Sequence, residues 1–180
     1  GSIVLVVGDS ISAGYGVEPD EAWPARLAQR TGWRVVAAGI NGDRTSGGRE
    51  RLPGLMDEHR PALVLIELGG NDLLRGIPAT EIAGNLDAMI GKARAGGARV
   101  VLMAAPQPSA LGAVTGLAAA GLYADLAKRR SVPLIEKALP SVLSDEDLRQ
   151  DAIHPNASGH RALAERAFEE LARSGVIAPQ

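Results

Sequence analysis

The stretch that decides the fold is IVLVVGDSIS, residues 3–12. Its first half, Ile3–Val7, is continuously apolar and predicts a strand that is buried on both faces of a sheet. Gly8, Asp9 and Ser10 follow this strand directly. A serine at the carboxyl end of a buried strand faces the crevice beyond the sheet, where ligands of α/β proteins bind. Gly-Asp-Ser is also an ordinary turn sequence, so the rest of the chain has to decide between the two interpretations.

Apolar runs with strand character alternate with longer helical patterns along the chain. The predicted strands are Ile3–Val7, Trp33–Ala38, Leu63–Leu68, Arg99–Met103 and Val132–Ile135. The predicted helices are Glu21–Arg30, Gly48–Glu58, Ile82–Ala95, Leu117–Arg130 and Ser158–Ser174. This alternation predicts a parallel sheet that is covered on both sides. We therefore expect an α/β fold, a three-layer α/β/α sandwich whose five strands have the flavodoxin-like order 2-1-3-4-5.

The composition indicates a globular protein with an aliphatic core. Of the 180 residues, 46% are apolar and only 3% are aromatic, and a chain of this length is most simply one domain, residues 1–180. The 19 basic and 21 acidic residues leave a net charge of −2, with no basic patch for nucleic acid. No apolar run approaches the ~20 residues of a membrane span, so we predict no stable membrane anchor. No long apolar stripe demands a partner, and we expect a monomer.

Several classes of site are missing from the sequence. Cysteine is absent, which excludes disulfides, thiolate chemistry and cysteine-bound zinc. There is no metal-ligand spacing, Walker-type phosphate loop or dinucleotide fingerprint. A flavodoxin-like nucleotide binder would need phosphate-binding glycines after the first strand, and Gly8 and Gly14 fit that pattern poorly. No signal peptide precedes Ile3, but a processed secretory protein would look the same, so the compartment stays open.

Chemically useful residues follow four of the predicted elements. Ser10 comes after the first strand, Gly42 after the second and Asn71 after the third, while Asp151 and His154 follow the fifth at a greater distance. Because parallel strands end at one edge of their sheet, we expect all five residues to lie close together. A hydroxyl, an imidazole, a carboxylate and hydrogen-bond donors are the groups needed for acyl transfer through a serine.

Each of these groups has a distinct predicted role. Ser10 is a weak nucleophile unless a base takes its proton, and His154 can do so near neutral pH. Asp151, three residues earlier, can orient the imidazole and stabilise its charged form. The backbone N–H groups of Ser10 and Gly42 and the side-chain amide of Asn71 are the predicted donors of an oxyanion hole.

Taken singly, each of these residues also has an ordinary structural interpretation. His154 could be a loop histidine, Gly42 and Asn71 could serve turns, and Asp151 could cap a local turn. Their joint placement at one sheet edge favours the catalytic interpretation. Four further acidic residues are interpreted as structural hydrogen-bonding groups near the site: Asp9, Asp43, Glu67 and Asp72. The other two histidines, His59 and His160, are interpreted as solvated helix residues.

On these motifs the sequence resembles the SGNH hydrolases, also called GDSL esterases or lipases. The matching blocks are GDSIS (8–12), NGD (41–43), GND (70–72) and DAIHP (151–155). The blocks AWP (22–24), RLP (51–53), ELGGND (67–72) and LRG (74–76) are similar to the bacterial arylesterase and thioesterase I/lysophospholipase L1 group. The resemblance implies Ser10, Asp151 and His154 as the catalytic triad, Ser10, Gly42 and Asn71 as the oxyanion hole, and no cofactor. It also suggests a periplasmic or secreted protein.

The resemblance further implies the substrate class and a tentative pocket. We expect a serine esterase for short- to medium-chain aryl or alkyl esters, with thioesters and lysophospholipids as further candidates. The alternatives are a carbohydrate O-acetylesterase and a non-catalytic lipid- or sugar-binding protein. The family's large polar and aromatic residues are missing from 106–121, which predicts either a wider acyl pocket or a more mobile pocket wall. The expected substrate-binding residues are Leu73, Leu74, Ile77, Pro106, Gln107 and Ile153.

Overall fold

A computed structural model describes residues 1–109 and 116–177 of the protein. Its sheet has five parallel strands in the order β2-β1-β3-β4-β5, which confirms the predicted topology. The strands are β1 (Ile3–Gly8), β2 (Arg34–Gly39), β3 (Leu63–Glu67), β4 (Arg99–Met103) and β5 (Leu134–Ile135).

The central strands set the position of the functional edge. All of β3 and all of β1 except Ile3 are buried, as their unbroken apolar sequences predict. In the register of the sheet, Gly8 at the end of β1 lies opposite Gly39 of β2 and Glu67 of β3. The three strands therefore end at the same edge of the sheet, and the loops that follow them start from that edge.

Helices cover both faces of the sheet. In chain order the helices of the described residues are α1 (Ser10–Ala13), α2 (Trp23–Thr31), α3 (Thr45–His59), α4 (Gly70–Leu74), α5 (Ala79–Ala95), α6 (Gly121–Arg130), α7 (Ala138–Leu143) and α8 (Ala157–Arg173), with 3₁₀ turns at Pro19–Glu21 and Glu146–Leu148. Helices α3, α5 and α6 pack on one face through Leu52, Leu86 and Leu126. Helices α2, α7 and α8 pack on the other through residues such as Leu27 and Leu163. Each fully buried leucine stabilises the fold by about 1.5–3 kcal/mol.

Two predicted element boundaries differ from the structure near the edge strand β5. The strand is only Leu134–Ile135, because Pro133 has no N–H to donate to a neighbouring strand. Helix α6 begins at Gly121 rather than Leu117. The residues before it are instead extended, with Pro106 bridged to Ala119.

His160 was predicted to be solvated, and that prediction is wrong. Its side chain is fully buried on α8, and its Nδ1 accepts a hydrogen bond from Trp23 N–H at 3.0 Å. Burial lowers the pKa of His160 to about 4, so the ring is neutral at physiological pH. Helical spacing carries the signal that was missed, because His160 lies three and four residues before the apolar Leu163 and Ala164. His59, near the end of α3, is partly exposed.

Candidate active site

Ser10 lies at a sharp strand-to-helix turn. It is the first residue of α1, and the preceding Asp9 caps this helix by accepting a hydrogen bond from Ile11 N–H at 2.9 Å. Space at the end of β1 is tight, since a Cβ at Gly8 would lie 2.3 Å from Ser12 Oγ and 2.6 Å from Glu67 Oε1. Only glycine allows β1 to end this close to β3 and so fixes where Ser10 begins.

A continuous chain of hydrogen bonds joins three of the predicted residues. Ser10 Oγ lies 3.0 Å from His154 Nε2. On the other side of the ring, His154 Nδ1 lies 2.9 Å from both carboxylate oxygens of Asp151. The structure thus brings together a hydroxyl, an imidazole and a carboxylate that are up to 144 residues apart in sequence.

The loop that carries Asp151 and His154 is held at several points. Gln150 N–H donates to His154 O at 2.9 Å, and the Gln150 side chain donates to Tyr15 O at 2.8 Å. The ring of Tyr15 packs against the His154 ring with centroids 4.4 Å apart. The imidazole therefore has contacts on its face as well as at both of its nitrogens.

Asp151 is held in its charged form. Its partial burial would by itself raise its pKa, but hydrogen bonds from Ile153 N–H and His154, with the charge of His154, lower the pKa below the ordinary value. The carboxylate therefore remains ionised at neutral pH and able to stabilise a positive imidazolium beside it.

The predicted oxyanion donors lie at the same edge. Asn71, in the first turn of α4, donates from Nδ2 to the backbone oxygen of Asp43 at 3.0 Å. Gly42 has a φ of +76°. This left-handed backbone conformation favours glycine, because glycine has no Cβ. The bond from Asn71 to Asp43 O fixes the orientation of the amide and links the loop after β3 to the Gly42 turn.

Two further side chains, those of Arg51 and Asp72, hold these loops in place. Arg51, on α3, donates to Asp43 Oδ2 at 2.9 Å, to Ala38 O at 2.8 Å and to Gly8 O at 3.0 Å. Asp72 accepts from Thr45 N–H at 2.9 Å and from Thr45 Oγ1–H at 2.6 Å. The ends of β1 and β2, the Gly42 turn and the start of α4 are thus joined by side-chain hydrogen bonds that the sequence pattern alone did not specify.

Two buried carboxyl groups lie beneath Ser10. Asp9 and Glu67 are only 4% and 2% exposed. Burial raises the pKa of Asp9, against the hydrogen bond from Ile11 N–H that lowers it. Burial, with the charge of Asp9, holds the pKa of Glu67 well above its usual range. Both groups hydrogen-bond within the fold, as the sequence interpretation proposed.

A cavity of about 290 Å³ opens beside Ser10. Of the expected substrate-binding residues, Leu74, Pro106, Gln107 and Ile153 line it. Other apolar lining comes from Ile11, Ala105, Leu117, Leu139, Leu143 and Ala152. Residues 110–115, which belong to the segment expected to widen the pocket, lie outside the described residues, so that expectation stays a prediction.

Leu73 and Ile77 were predicted to contact substrate, but they do not line the cavity. Both pack against the core on the α3 and α5 face of the sheet. Residues 70–74, soon after β3, form helix α4. Successive helical residues point about 100° apart, so Leu74 faces the cavity while Leu73 faces the core. Leu139 and Leu143 were missed because α7 is short and contains Pro140, which hid the helical pattern.

The described residues 1–109 and 116–177 contain no cluster of three or more His, Asp or Glu side chains suited to a metal ion. Over the same residues, no helix combines the length and the apolar character needed to cross a bilayer.

Comparisons with known proteins agree with this geometry. The model of the GDSL-like Lipase/Acylhydrolase family matches residues 6–162. The chain is 40% identical to esterase TesA of Pseudomonas aeruginosa, over 93% of this chain and 87% of that one. It is 36% identical to thioesterase 1/protease 1/lysophospholipase L1 of Escherichia coli K12, over 93% and 82%. Among solved structures it resembles the psychrotrophic esterase EstA of a Pseudoalteromonas species, inhibited by monoethylphosphonate, with a TM-score of 0.84, 26% identity and coverage of 98% and 100%.

Proposed function

Because this chain belongs to the GDSL-like lipase/acylhydrolase family, we propose that it is a serine esterase that hydrolyses acyl esters through an acyl-enzyme on Ser10. The observation that carries the proposal is the unbroken hydrogen-bond chain from Ser10 Oγ through His154 to Asp151. The order of these contacts is the one required for a nucleophile, its base and the group that orients the base.

The proposed reaction has two halves. In the first, His154 Nε2 takes the hydroxyl proton while Ser10 Oγ attacks the ester carbonyl carbon, and the collapsing tetrahedral intermediate expels the alcohol, which receives the proton from His154. In the second half, His154 takes a proton from water as the water oxygen attacks the acyl carbon. Ser10 then leaves with that proton, and the free acid is released. Asp151 remains ionised throughout and stabilises the imidazolium that forms in each half.

Oxyanion stabilisation supplies a large part of the proposed rate enhancement. Asn71 Nδ2 donates to Asp43 O at 3.0 Å and, at the limiting distance of 3.5 Å, to Asp9 Oδ2, and we propose that the hydrogen of the longer contact turns to the oxyanion. The backbone N–H groups of Ser10 and Gly42 complete the proposed set. These donors are already oriented by the fold, so they need little reorganisation when charge develops on the substrate oxygen.

The proposed substrates are short- to medium-chain aryl and alkyl esters. The cavity is lined mainly by aliphatic side chains such as Leu74, Leu139 and Leu143, which suits a hydrocarbon acyl group. The names of the relatives make thioesters and lysophospholipids the next substrates to test. An O-acetyl sugar would place only a methyl group among these side chains, so we expect acetylated xylose to be turned over more slowly than a hexanoyl ester.

We expect a fluorophosphonate probe to modify the wild-type protein once, on the peptide that contains Ser10, because Oγ is the only hydroxyl activated by His154 in the proposed mechanism. Mass spectrometry of the digested adduct measures this. The Ser10→Ala variant should remain unlabelled, whereas Ser46→Ala, a control at an exposed serine, should label like wild type. An unlabelled wild-type protein would instead support the non-catalytic binding alternative.

Replacing Asn71 by alanine is expected to lower kcat by about 10²- to 10³-fold with a much smaller change in KM, because the lost donor acts mainly on the transition state. Initial rates with p-nitrophenyl butyrate measure both constants. Asn41→Ala is the matched control, since Asn41 is an exposed asparagine beside Gly42, and it should remain within about twofold of wild type. A large rise in KM at constant kcat would show that Asn71 only binds substrate.

A further inference from the structure

Glu67 is an unusual residue for its position. It ends β3, the middle strand of the sheet, and it is 2% exposed in an otherwise aliphatic strand. A buried carboxyl group destabilises a fold unless its hydrogen bonds compensate for the lost hydration. The proposed ester hydrolysis assigns no chemical step to this group, so its presence beneath Ser10 needs another explanation.

The hydrogen bonds of Glu67 lie on both sides of Ser10. Its Oε1 accepts from Ser12 Oγ–H at 2.6 Å, from Ser12 N–H at 3.2 Å and from Asp9 N–H at 3.3 Å. These donors are the residue before Ser10 and the second residue after it. Gly8 leaves the space through which the carboxyl group reaches them. A single oxygen on the rigid sheet therefore fixes the backbone that presents the nucleophile.

The carboxyl groups of Glu67 and Asp9 are buried close to each other, and the charge of Asp9 adds to burial in raising the pKa of Glu67. Two carboxylates buried this close would repel each other, which favours a proton on one of them. Asp9 accepts from Ile11 N–H at 2.9 Å and from Asn71 Nδ2 at 3.5 Å, and Glu67 accepts from three donors, so burial and charge rather than the number of donors decide which group is protonated. Glu67 is more deeply buried and faces the charge of Asp9, so the proton belongs to Glu67.

We propose that Glu67 acts as an uncharged carboxylic acid that positions the nucleophile, holding Asp9 and Ser12 and through them Ser10 and Asn71. This inference rests on the proposed role of Ser10. Glu67 is a positioning residue, because its hydrogen bonds go to Asp9 and Ser12, on either side of Ser10. A shift of about 1 Å in a reacting group can lower a rate by about 10²-fold, which sets the size of effect to expect.

The pH dependence follows from the charges around the pair. Asp9 faces His154, whose imidazolium form favours the Asp9 anion, and Asp43, whose negative charge opposes it. Glu67 faces Asp9 and, through α6, the buried phenol of Tyr123. Because the pKa of Glu67 is raised in the fold, the folded protein holds a proton that the unfolded chain has released. This contribution to stability is complete below the unfolded pKa of Glu67 and is lost as pH rises through the folded value.

The test compares Glu67→Ala and Glu67→Gln with wild type. Glutamine can accept from the same three donors and donate from its amide to Asp9, without a titrating proton. We expect Glu67→Ala to lower kcat at least tenfold on p-nitrophenyl butyrate with little change in KM, and Glu67→Gln to retain at least a third of wild-type kcat. Glu58→Ala, at an exposed glutamate on α3, should leave both constants unchanged.

The thermal midpoint gives a second measurement that does not depend on turnover. The midpoint of Glu67→Gln should exceed that of wild type by an amount that grows as pH rises from about 5 to 9, because only wild type loses the Glu67 proton. The inference is wrong if Glu67→Ala remains within threefold of wild-type kcat, if Glu67→Gln loses as much activity as Glu67→Ala, or if the midpoint difference is constant with pH. Should Glu67→Ala fail to fold, the inference is tested by Glu67→Gln alone, through its kcat and the pH dependence of its thermal midpoint. Wild type that neither turns over esters nor reacts with the fluorophosphonate probe would instead refute the proposed function.

Discussion

Alanine in place of His154 is expected to lower kcat by about 10⁵- to 10⁶-fold. The side chain is the only base within hydrogen-bond reach of Ser10 Oγ among the contacts of the described residues, at 3.0 Å. Without it the hydroxyl must lose its proton to water, and the leaving alcohol receives none from the enzyme. KM should change much less, because the cavity that binds the acyl group is lined by other side chains.

A double variant distinguishes a catalytic unit from two independent effects. When a nucleophile and its base act together, removing the second costs little after the first is gone. The Ser10→Ala/His154→Ala protein should therefore hydrolyse p-nitrophenyl butyrate about as slowly as either single variant. His59→Ala, at a partly exposed histidine on α3, is the control and should retain wild-type activity. A loss of less than tenfold for His154→Ala would contradict the proposed role of His154.

The parts of the site that could be predicted from sequence are those placed by strand ends. Ser10, Gly42 and Asn71 follow three strands whose final residues lie level in the register, so knowing the strands was enough to bring them together. Asp151 and His154 were predicted from their spacing and from the resemblance. Their loop is defined by local contacts, such as Gln150 with His154 O and Tyr15 O, that have no periodic signature.

What could not be predicted depends on side-chain direction and on contacts between distant segments. Leu73 and Leu74 are neighbours of the same type, and only the helical geometry of α4 shows which one faces the cavity. Arg51 joins three segments through hydrogen bonds to Asp43, Ala38 and Gly8, and an arginine on a helix carries no sequence signal for such a role. Glu67 was recognised as a structural group, but its contacts with both neighbours of Ser10 became visible only in three dimensions.

Asparagine in place of Asp151 is expected to lower kcat by about 10⁴-fold, although the two side chains have nearly the same shape. The carboxylate accepts from His154 Nδ1 at 2.9 Å, which keeps the hydrogen on Nδ1 and leaves Nε2 free to accept the Ser10 proton. An asparagine that donates its NH₂ to Nδ1 moves the hydrogen to Nε2, where it blocks proton transfer from Ser10. It also removes the negative charge that stabilises the imidazolium.

The pH dependence of the Asp151→Asn variant adds a sharper test of this explanation. Because hydrogen bonds and the charge of His154 hold the pKa of Asp151 below its ordinary value, wild type keeps the carboxylate ionised throughout the range from about pH 5 to 8. We therefore measure the ratio of wild-type to variant activity against pH. Protonation of Asp151 should cause no drop in this ratio between about pH 5 and 8. Asp147→Asn, at an exposed aspartate four residues earlier, should match wild type in p-nitrophenyl butyrate hydrolysis. If Asp151→Asn retains more than a tenth of wild-type kcat, Asp151 is only a loop cap, as its bond from Ile153 N–H at 2.9 Å would also allow.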